Sequence, residues 1–280
     1  MRRNSAHAPA RRFFDAHYAA LYPRAASFQD NIVEKLCYAL WRPASMATAA
    51  WCDSLLNLAA PLAARGAERI RIAVPDVPLP VQDPYPAMRI DAPEGFVSLW
   101  LCTAAARGDI ETSLRATAAR LAGYSVLEST ILPNETPATG AREAGFLQIC
   151  AFAAPPHCTR EQFLHAWLDL HTEVAVQTQA TRFYNQNIIV RRLTPQAPAW
   201  DAIVEERFPD AALDDPAVYY DAVGAPARLA AHQARMAESC ARFIDFSTIK
   251  LTNCGEYRFG GWRDAAQPLS PPLARPTSPP

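Results

Sequence analysis

One predicted helix carries a histidine and a tryptophan at a spacing suited to acid–base chemistry. Over residues 159–178, an advance of about 100° per residue places His171 only about 40° from Trp167. An imidazole exchanges protons near neutral pH, so an inward His171 is a candidate general acid or base. His165 falls about 160° from Trp167, on the solvent face, and is not a candidate.

The same arithmetic predicts which face of this helix is buried. The residues within about 60° of Trp167, which should face the core, are Phe163, Leu170 and Val174. The helix should begin at a capping box formed by Thr159 and Gln162. The alternative role for His171 is that of a core histidine hydrogen-bonded to a backbone carbonyl, because lone inward histidines are common.

The first half of the chain repeats this helix without the histidine. Trp51 matches Trp167 in its surroundings, whereas Leu55 stands in the place of His171. The packing role of that position is therefore filled without an imidazole, which favours a chemical role for His171. A repeat of this kind indicates two fused halves, of which one supplies the chemistry and the other supplies walls.

The strand predicted after the helix, 181–193, is rich in polar residues. Alternation puts Arg182, Tyr184 and Gln186 on one face, and Asn185 and Asn187 on the other. These groups are costly to bury unless they meet each other or a polar ligand. The alternative is a solvent-exposed strand end.

The next predicted strand, 200–208, contains two adjacent carboxylates that must point to opposite faces. A carboxylate beside His171 would orient the imidazole and raise its basicity, or act itself as the base. Either one could instead pair with Arg207 or Arg182. We predict the pairing role for Glu206 and the catalytic role for Glu205.

The elements around these residues occur twice in the order β-α-β-β-α-β. The predicted strands are 33–41, 68–75, 95–103, 123–132, 146–153, 181–193, 200–208 and 246–257, with helices at 45–64, 110–122, 159–178 and around 215–242. Each half thus fits a ferredoxin-like unit, an antiparallel sheet with two helices on one face. Pairing the two sheets face to face gives an α+β fold, an intrachain pseudo-dimeric barrel with a cavity.

The predicted domains follow this repeat. They are an N-terminal arm at 1–30, ferredoxin-like domains at 31–135 and 145–262, and an extended Pro-rich tail at 265–280. Because the two halves already pair within one chain, a monomer would be complete. The arm and the outer helices could still build a homodimer.

Composition excludes several classes of function. Lys and Arg total 27 against 28 Asp and Glu, so no excess positive charge favours nucleic acid or an anionic membrane. Seven cysteines without a Cys-x-x-Cys pair predict free thiols and a cytoplasmic location. No apolar stretch reaches the roughly 20 residues of a membrane span. Without a phosphate loop or a metal-binding motif, we expect neither metal nor cofactor.

The second half resembles an EthD domain, a branch of the dimeric α+β-barrel superfamily. The matching segments are Thr159–Phe163 with Trp167-x-x-x-His171, Tyr184-x-Gln186-Asn187, Asp201–Phe208, and Arg242–Asp245 followed by Glu256-Tyr257. They cover most of residues 146–260, and the first half resembles a degenerate copy. The family often places a small residue and proline after this histidine. Here Thr172 and Glu173 follow, which predicts a helix that continues past His171.

The resemblance implies the ferredoxin-like fold and a choice among several activities. The superfamily includes cofactor-free polyketide cyclases and dehydratases, accessory proteins of ether or aromatic degradation, and haem-dependent enzymes. We expect a cofactor-free lyase or isomerase that acts on a hydrophobic carbonyl compound of aromatic, polyketide-like or steroid-like type. The alternatives are a non-catalytic small-molecule-binding accessory protein and a haem enzyme ligated by a lone histidine such as His171 or His232.

In the expected enzyme, His171 is the general acid or base and Glu205 orients it. Tyr184 and Asn187 hold the carbonyl or enolate oxygen, and Trp167 forms an apolar wall. The other expected substrate contacts are Arg182, Asn185 and Gln186.

Overall fold

Eight antiparallel strands form the framework of residues 34–134 and 136–261, the part that this computed structural model describes. The strands are β1 Glu34–Trp41, β2 Arg69–Val74, β3 Gly95–Leu101, β4 Arg120–Leu132, β5 Phe146–Phe152, β6 Phe183–Arg192, β7 Ala202–Phe208 and β8 Lys250–Gly260. Their apolar alternation and β-branched residues suit a pleated surface buried on both sides. The predicted arm at 1–30 and tail at 265–280 lie outside the described residues.

Short helices connect these strands. They are α1 Thr48–Leu56, α2 Ala59–Ala64, α3 Pro86–Arg89, α4 Gly108–Arg115, α5 Arg160–Leu164, α6 Thr172–Thr178, α7 Pro216–Tyr219 and α8 Pro226–Cys240, with single 3-10 turns at Ala104–Ala106 and Asp210–Leu213. Among the described residues, no helix is both long and apolar enough to cross a bilayer.

The strands close into one barrel in the order β1-β3-β2-β8-β5-β7-β6-β4. Each half contributes four neighbouring strands, and the halves join where β2 pairs with β8 and β4 pairs with β6. The predicted mixture of helices around a barrel is confirmed. The two sheets meet through hydrogen-bonded edges as well as through their inner faces, which leaves neither sheet with an open edge.

Each strand presents one face to the barrel interior and the other to the helices. In the first half, Trp51 and Leu55 of α1 pack with Leu36 and Leu99 on the helix side of the sheet. In the second half, an aromatic cluster that includes Phe152 and Trp167 occupies the equivalent layer. The barrel interior holds a separate core, so residues one apart along a strand lie in different environments.

The helical segment after β5 is irregular. Its predicted capping box is confirmed, since Thr159 Oγ1 accepts from the Gln162 backbone N–H and the Gln162 side chain accepts from the Thr159 N–H. Residues His165–His171, which join α5 to α6, form a π-helical stretch, in which i→i+5 hydrogen bonds widen the turn. The helix continues past His171 to Thr178, as the sequence predicted.

The wider turn changes which residues of this helix are buried. Leu170 is 43% exposed, so its predicted place in the core is wrong, and Val174 is only partly buried. Thr172 and Val176 are buried instead. The prediction assumed 3.6 residues per turn, and the π-helical stretch delays the inward face by about one residue.

Candidate functional site

A cavity of about 510 Å³ lies between the helix-facing side of the second half's sheet and the helices above it. We call it the inner cavity. Strands β5 to β7 form its floor, and the π-helical stretch and α8 cover it. Most of its lining is apolar or aromatic, as in many small-molecule sites. The lining includes Phe152, Trp167, Val204, Met236, Phe243 and Ile249.

His171 lines the inner cavity from the π-helical stretch. Its Nδ1 lies 2.9 Å from Ser239 Oγ on α8, and its ring centroid lies 4.7 Å from that of Phe243. Because Nδ1 is engaged, Nε2 is the nitrogen left to exchange a proton with a ligand. Burial lowers the pKa of His171 to about 4, so the imidazole is neutral at neutral pH.

Glu206 lines the same cavity from β7. It is 8% exposed, and its carboxyl group has no hydrogen-bond or ion-pair partner within residues 34–134 and 136–261. Burial raises its pKa to about 7, because the charged form loses its hydration. A buried carboxyl in this state is partly protonated near neutral pH and able to donate a hydrogen bond.

The structure places the two adjacent carboxylates on the opposite faces of β7 from those predicted. Glu205 points into the barrel, on the opposite face of β7 from the inner cavity, so it does not orient His171. Its Oε2 accepts hydrogen bonds from Lys35 Nζ and Arg71 Nη1, each at 2.7 Å. These cations hold the pKa of Glu205 well below its usual range. Glu206, expected to pair with an arginine, is the one that faces the cavity.

Glu205 belongs to a chain of charges that runs through one end of the barrel interior. Side chains of alternating sign follow one another with N···O distances from 2.5 to 3.6 Å. In order they are Glu128, Lys35, Glu205, Arg71, Glu256, Arg207, Glu143 and Arg258. Each charge has an opposite neighbour, so this ion chain neutralises itself and joins residues of both halves.

The polar strand β6 divides its side chains as alternation predicted. Tyr184 and Gln186 face the helices, where Gln186 Nε2 donates to Tyr184 Oη and to Thr172 Oγ1, both at 2.9 Å. Tyr184 lines the inner cavity, and burial raises its pKa well above the usual range. It therefore presents an un-ionised hydroxyl to the cavity.

The other predicted contacts of β6 lie away from the inner cavity. Asn187 faces the barrel interior, where its Nδ2 donates to Ile203 O at 2.9 Å and to Glu205 Oε2 at 3.2 Å. Asn185 donates to Glu128 in the same interior. Arg182 precedes the strand and is exposed. Of the predicted residues, the cavity thus brings together His171, Trp167 and Tyr184.

Sequence reasoning missed three residues of the site, Gln148, Gln179 and Ser239. Gln179 Nε2 donates to Tyr219 Oη at 3.0 Å, and the Tyr219 hydroxyl donates to Gln148 Oε1 at 2.9 Å. The sequence does contain a signal for Gln148, because it is the one amide in the otherwise apolar β5. No sequence pattern indicates the contact between Ser239 and His171, because Ser239 lies 68 residues away on α8.

Four residues of the second half form a row across the sheet, which we call the polar row. Strand register aligns Tyr184, Glu206, Gln148 and Asn253 on β6, β7, β5 and β8. The same row of the first half, on β2, β3, β1 and β4, consists of Ile70, Leu99, Leu36 and Ser125. The second half therefore has polar groups where the first half has mainly aliphatic ones.

Two thiols also line the inner cavity. They are Cys150 and Cys240, and burial raises the pKa of Cys240 to about 12, so it stays a neutral thiol. In the described part of the chain, no group of three or more His, Cys, Asp or Glu side chains is placed to hold a metal ion.

No protein-family model and no curated protein matches the chain. Among solved structures, an anthrone oxidase-like protein shares 8% identity over 86% of this chain and 98% of its own, with a TM-score of 0.46. A candidate monooxygenase of Lactobacillus acidophilus NCFM shares 11% over 80% and 93%, with a TM-score of 0.42. Another, of Fusobacterium nucleatum, shares 8% over 82% and 95%, with a TM-score of 0.47. Such values transfer no activity, and the EthD resemblance stays a prediction.

Proposed function

We propose that the protein is an enzyme that transforms a hydrophobic carbonyl compound by proton transfer, as a lyase or isomerase, in the inner cavity. The observation that carries this proposal is that His171 and Glu206 line one apolar cavity, one as a neutral imidazole and the other as a carboxyl without a partner among the described residues. Their pKa values, about 4 and about 7, leave a range in which a base and an acid coexist.

The two groups divide the chemistry between them. His171 Nε2 removes a proton from the carbon next to the substrate carbonyl, and the protonated Glu206 donates a hydrogen bond to the carbonyl oxygen. As that oxygen becomes an enolate, its charge is costly in an apolar cavity unless a fixed donor meets it. The Tyr184 hydroxyl supplies a second donor.

The fate of the transferred proton defines the reaction class. Returning it from the imidazolium to a different carbon gives an isomerisation. Delivering it to a leaving group, as the enolate expels that group from the β-carbon, gives an elimination. Both sequences balance without an oxidant, a metal or a bound cofactor.

The reaction should depend on pH in two opposite ways. Below about pH 4, His171 becomes protonated and no longer accepts a proton. Above about pH 7, Glu206 ionises and no longer donates a hydrogen bond. The value of kcat/KM should therefore rise through the first pKa and fall through the second, and a pH–rate profile of the free enzyme measures both limbs.

Hydrogen–deuterium exchange tests the proposal without knowledge of the natural substrate. The probe is 2-tetralone, an enolisable aromatic ketone, incubated in D2O at about pD 5.5 and followed by NMR. The protein should accelerate exchange of the α-protons, and His171→Leu, which copies Leu55, should abolish the acceleration. His165→Leu is the matched control, because His165 lies exposed on the same helix and its imidazole is paired with Asp169.

Three outcomes would overturn the proposal. Equal acceleration by His171→Leu would remove the assigned base. Saturable binding of the ketone without exchange would identify the accessory-protein alternative instead. A Soret band in the purified protein would turn His171 into a candidate haem ligand.

A further inference from the structure

A second cavity of about 410 Å³ adjoins the inner cavity on the side of β8. We call it the outer cavity. The lining residues common to both are Tyr85, Gln148, Tyr219, Tyr220 and Gln233. Because these side chains line both cavities, a ligand long enough to pass between them would contact both. The proposed proton transfer uses the inner cavity alone and leaves the outer one without a role.

The first half supplies the outer wall. Residues 75–94, between β2 and β3, pass over the second half's sheet, where the Val81 N–H donates to Asp214 Oδ1 at 2.7 Å. Thr252 Oγ1 and Lys250 Nζ of β8 donate to the backbone oxygens of Pro93 and Ile90, both at 2.6 Å. The half that lacks the histidine thus closes the site of the half that has it.

The polar row leads from one cavity to the other. Glu206 lies in the inner cavity, Gln148 lines both, and Asn253 lies in the outer cavity. Gln148 Nε2 lies 3.4 Å from Asn253 Oδ1, a long contact, and Asn253 Nδ2 has no acceptor within residues 34–134 and 136–261. The Asn253 Nδ2 donor is therefore available on the outer cavity's floor, next to Gln148 in the polar row.

The charges of the outer cavity favour a neutral ligand. Arg89 Nε is already bonded to Asp83 Oδ2 at 2.6 Å, and Asp214 accepts from the backbone of residue 81. Two carboxylates and one guanidinium line the cavity, so an anionic group would meet net repulsion. Neutral hydroxyl groups, which both donate and accept, suit the Asn253 amide.

We propose that the outer cavity is a second substrate subsite, which takes a neutral, hydroxyl-bearing substituent while the enolisable ring occupies the inner cavity. This inference rests on the proposed function for its account of the inner cavity. It assigns the substrate to a class of ring compounds with a polyhydroxylated side group, such as a sugar. It also makes Asn253 a specificity-determining residue.

Three coumarins of one parent ring test the subsite. They are 7-methoxy-4-methylcoumarin, which has no polar substituent, 4-methylumbelliferyl β-D-glucoside and 4-methylumbelliferyl β-D-glucuronide. Fluorescence titration should show the glucoside binding about tenfold more tightly than the methyl ether, a gain equal to one or two hydrogen bonds. The glucuronide, which has the same size and a carboxylate, should bind more weakly than the glucoside.

The variant Asn253→Leu has nearly the same volume without the amide. It should lose about tenfold in affinity for the glucoside and keep its affinity for the methyl ether within about twofold. A glucoside that binds no more tightly than the methyl ether would overturn the subsite. So would tighter binding of the glucuronide, or equal weakening of both ligands in the variant.

The exchange assay separates this proposal from the proposed function. 2-Tetralone lacks a substituent that could reach the outer cavity, so its His171-dependent exchange by the wild-type protein tests the inner cavity alone. Absence of exchange in the wild type would remove the catalytic proposal, and the coumarin affinities would still decide the subsite.

Discussion

The two halves present the same face of a four-stranded sheet to their helices, but they fill the space above it differently. In the first half, Leu36, Leu99 and Ile70 pack against Trp51 and Leu55. In the second half, the polar row replaces the aliphatic one, His171 replaces Leu55, and a cavity lies above the row. The site therefore occupies what is packed core in the other half.

This difference between the halves affects the stability of the folded state. An aliphatic row contributes to stability by leaving water and filling space, whereas an unpartnered carboxyl opposes folding when it ionises. Glu206 is such a carboxyl within the part of the chain that the structure describes, whereas its neighbour Glu205 is paired with both Lys35 and Arg71. Two adjacent glutamates thus have opposite effects on stability. Substitutions of these two residues therefore test the difference between the halves most directly.

The largest effect should come from breaking the contact between the halves at Glu205. In Glu205→Leu, Lys35 and Arg71 lose the carboxylate that both contact at 2.7 Å. Uncompensated buried charge should lower the free energy of unfolding by about 3–5 kcal/mol, measured by urea denaturation at neutral pH. A loss below about 1 kcal/mol would show that the ion chain does not join the halves.

The next largest effect should be on catalysis, in a variant that carries the first half's residue at the position of Glu206. Glu206→Leu, which copies Leu99, removes the donor for the enolate oxygen and should slow ketone exchange by about 10²–10³-fold. Glu206→Gln keeps an N–H donor of the same size, so it should retain much of the rate and lose the fall above pH 7. Identical rates in Glu206→Leu and the wild type would contradict the assigned role.

Glu206→Leu should also make the protein more stable than the wild type at alkaline pH. Because the pKa of Glu206 is raised from 4.5 to about 7, the folded state holds its proton more tightly than the unfolded state. Wild-type stability should fall as the pH rises between those values, by on the order of 3 kcal/mol in total. Glu206→Leu should lack this fall, so the difference in urea midpoint should be larger at pH 9 than at pH 4.5. His171 is present in both proteins and cancels from the difference.

The smallest effect on stability is expected for a substitution in the π-helical stretch. Leu170→Ala should change the free energy of unfolding by no more than about 0.5 kcal/mol, because the side chain is 43% exposed. Leu55→Ala, in the regular helix of the first half, removes a fully buried side chain and should cost about 2–5 kcal/mol. A large loss for Leu170→Ala in thermal or urea denaturation would show that the helix winds regularly.

Alternation predicted the faces of β6 correctly because the geometry of a strand fixes them locally. It also showed that Glu205 and Glu206 point in opposite directions, but it did not show which one meets the cavity. Both faces of β7 are buried, so hydrophobicity does not mark the inner side. The clue lay in the first half, where Lys35 and Arg71 interrupt apolar strands on one face and require carboxylates opposite.

Other features of the site depend on contacts that no local pattern encodes. The π-helical stretch lacks a proline or glycine that would mark it, so the buried face of the helix from Leu170 onward was predicted wrongly. The residues that cover the cavity come from α8 and from 75–94, which only the closed barrel brings together. Composition and repeat order suffice for the fold, whereas the cavity follows from three-dimensional packing.

The ion chain inside the barrel has a consequence for how the two halves can associate. Strand for strand, Lys35 and Arg71 correspond to Leu147 and Asn185 of the second half. A barrel of two second halves would therefore leave both copies of Glu205 without a cation. The halves are complementary in the way that the subunits of an obligate heterodimer are, and each disfavours a partner of its own kind. Joining them in one polypeptide supplies the two in the one-to-one ratio that this complementarity requires.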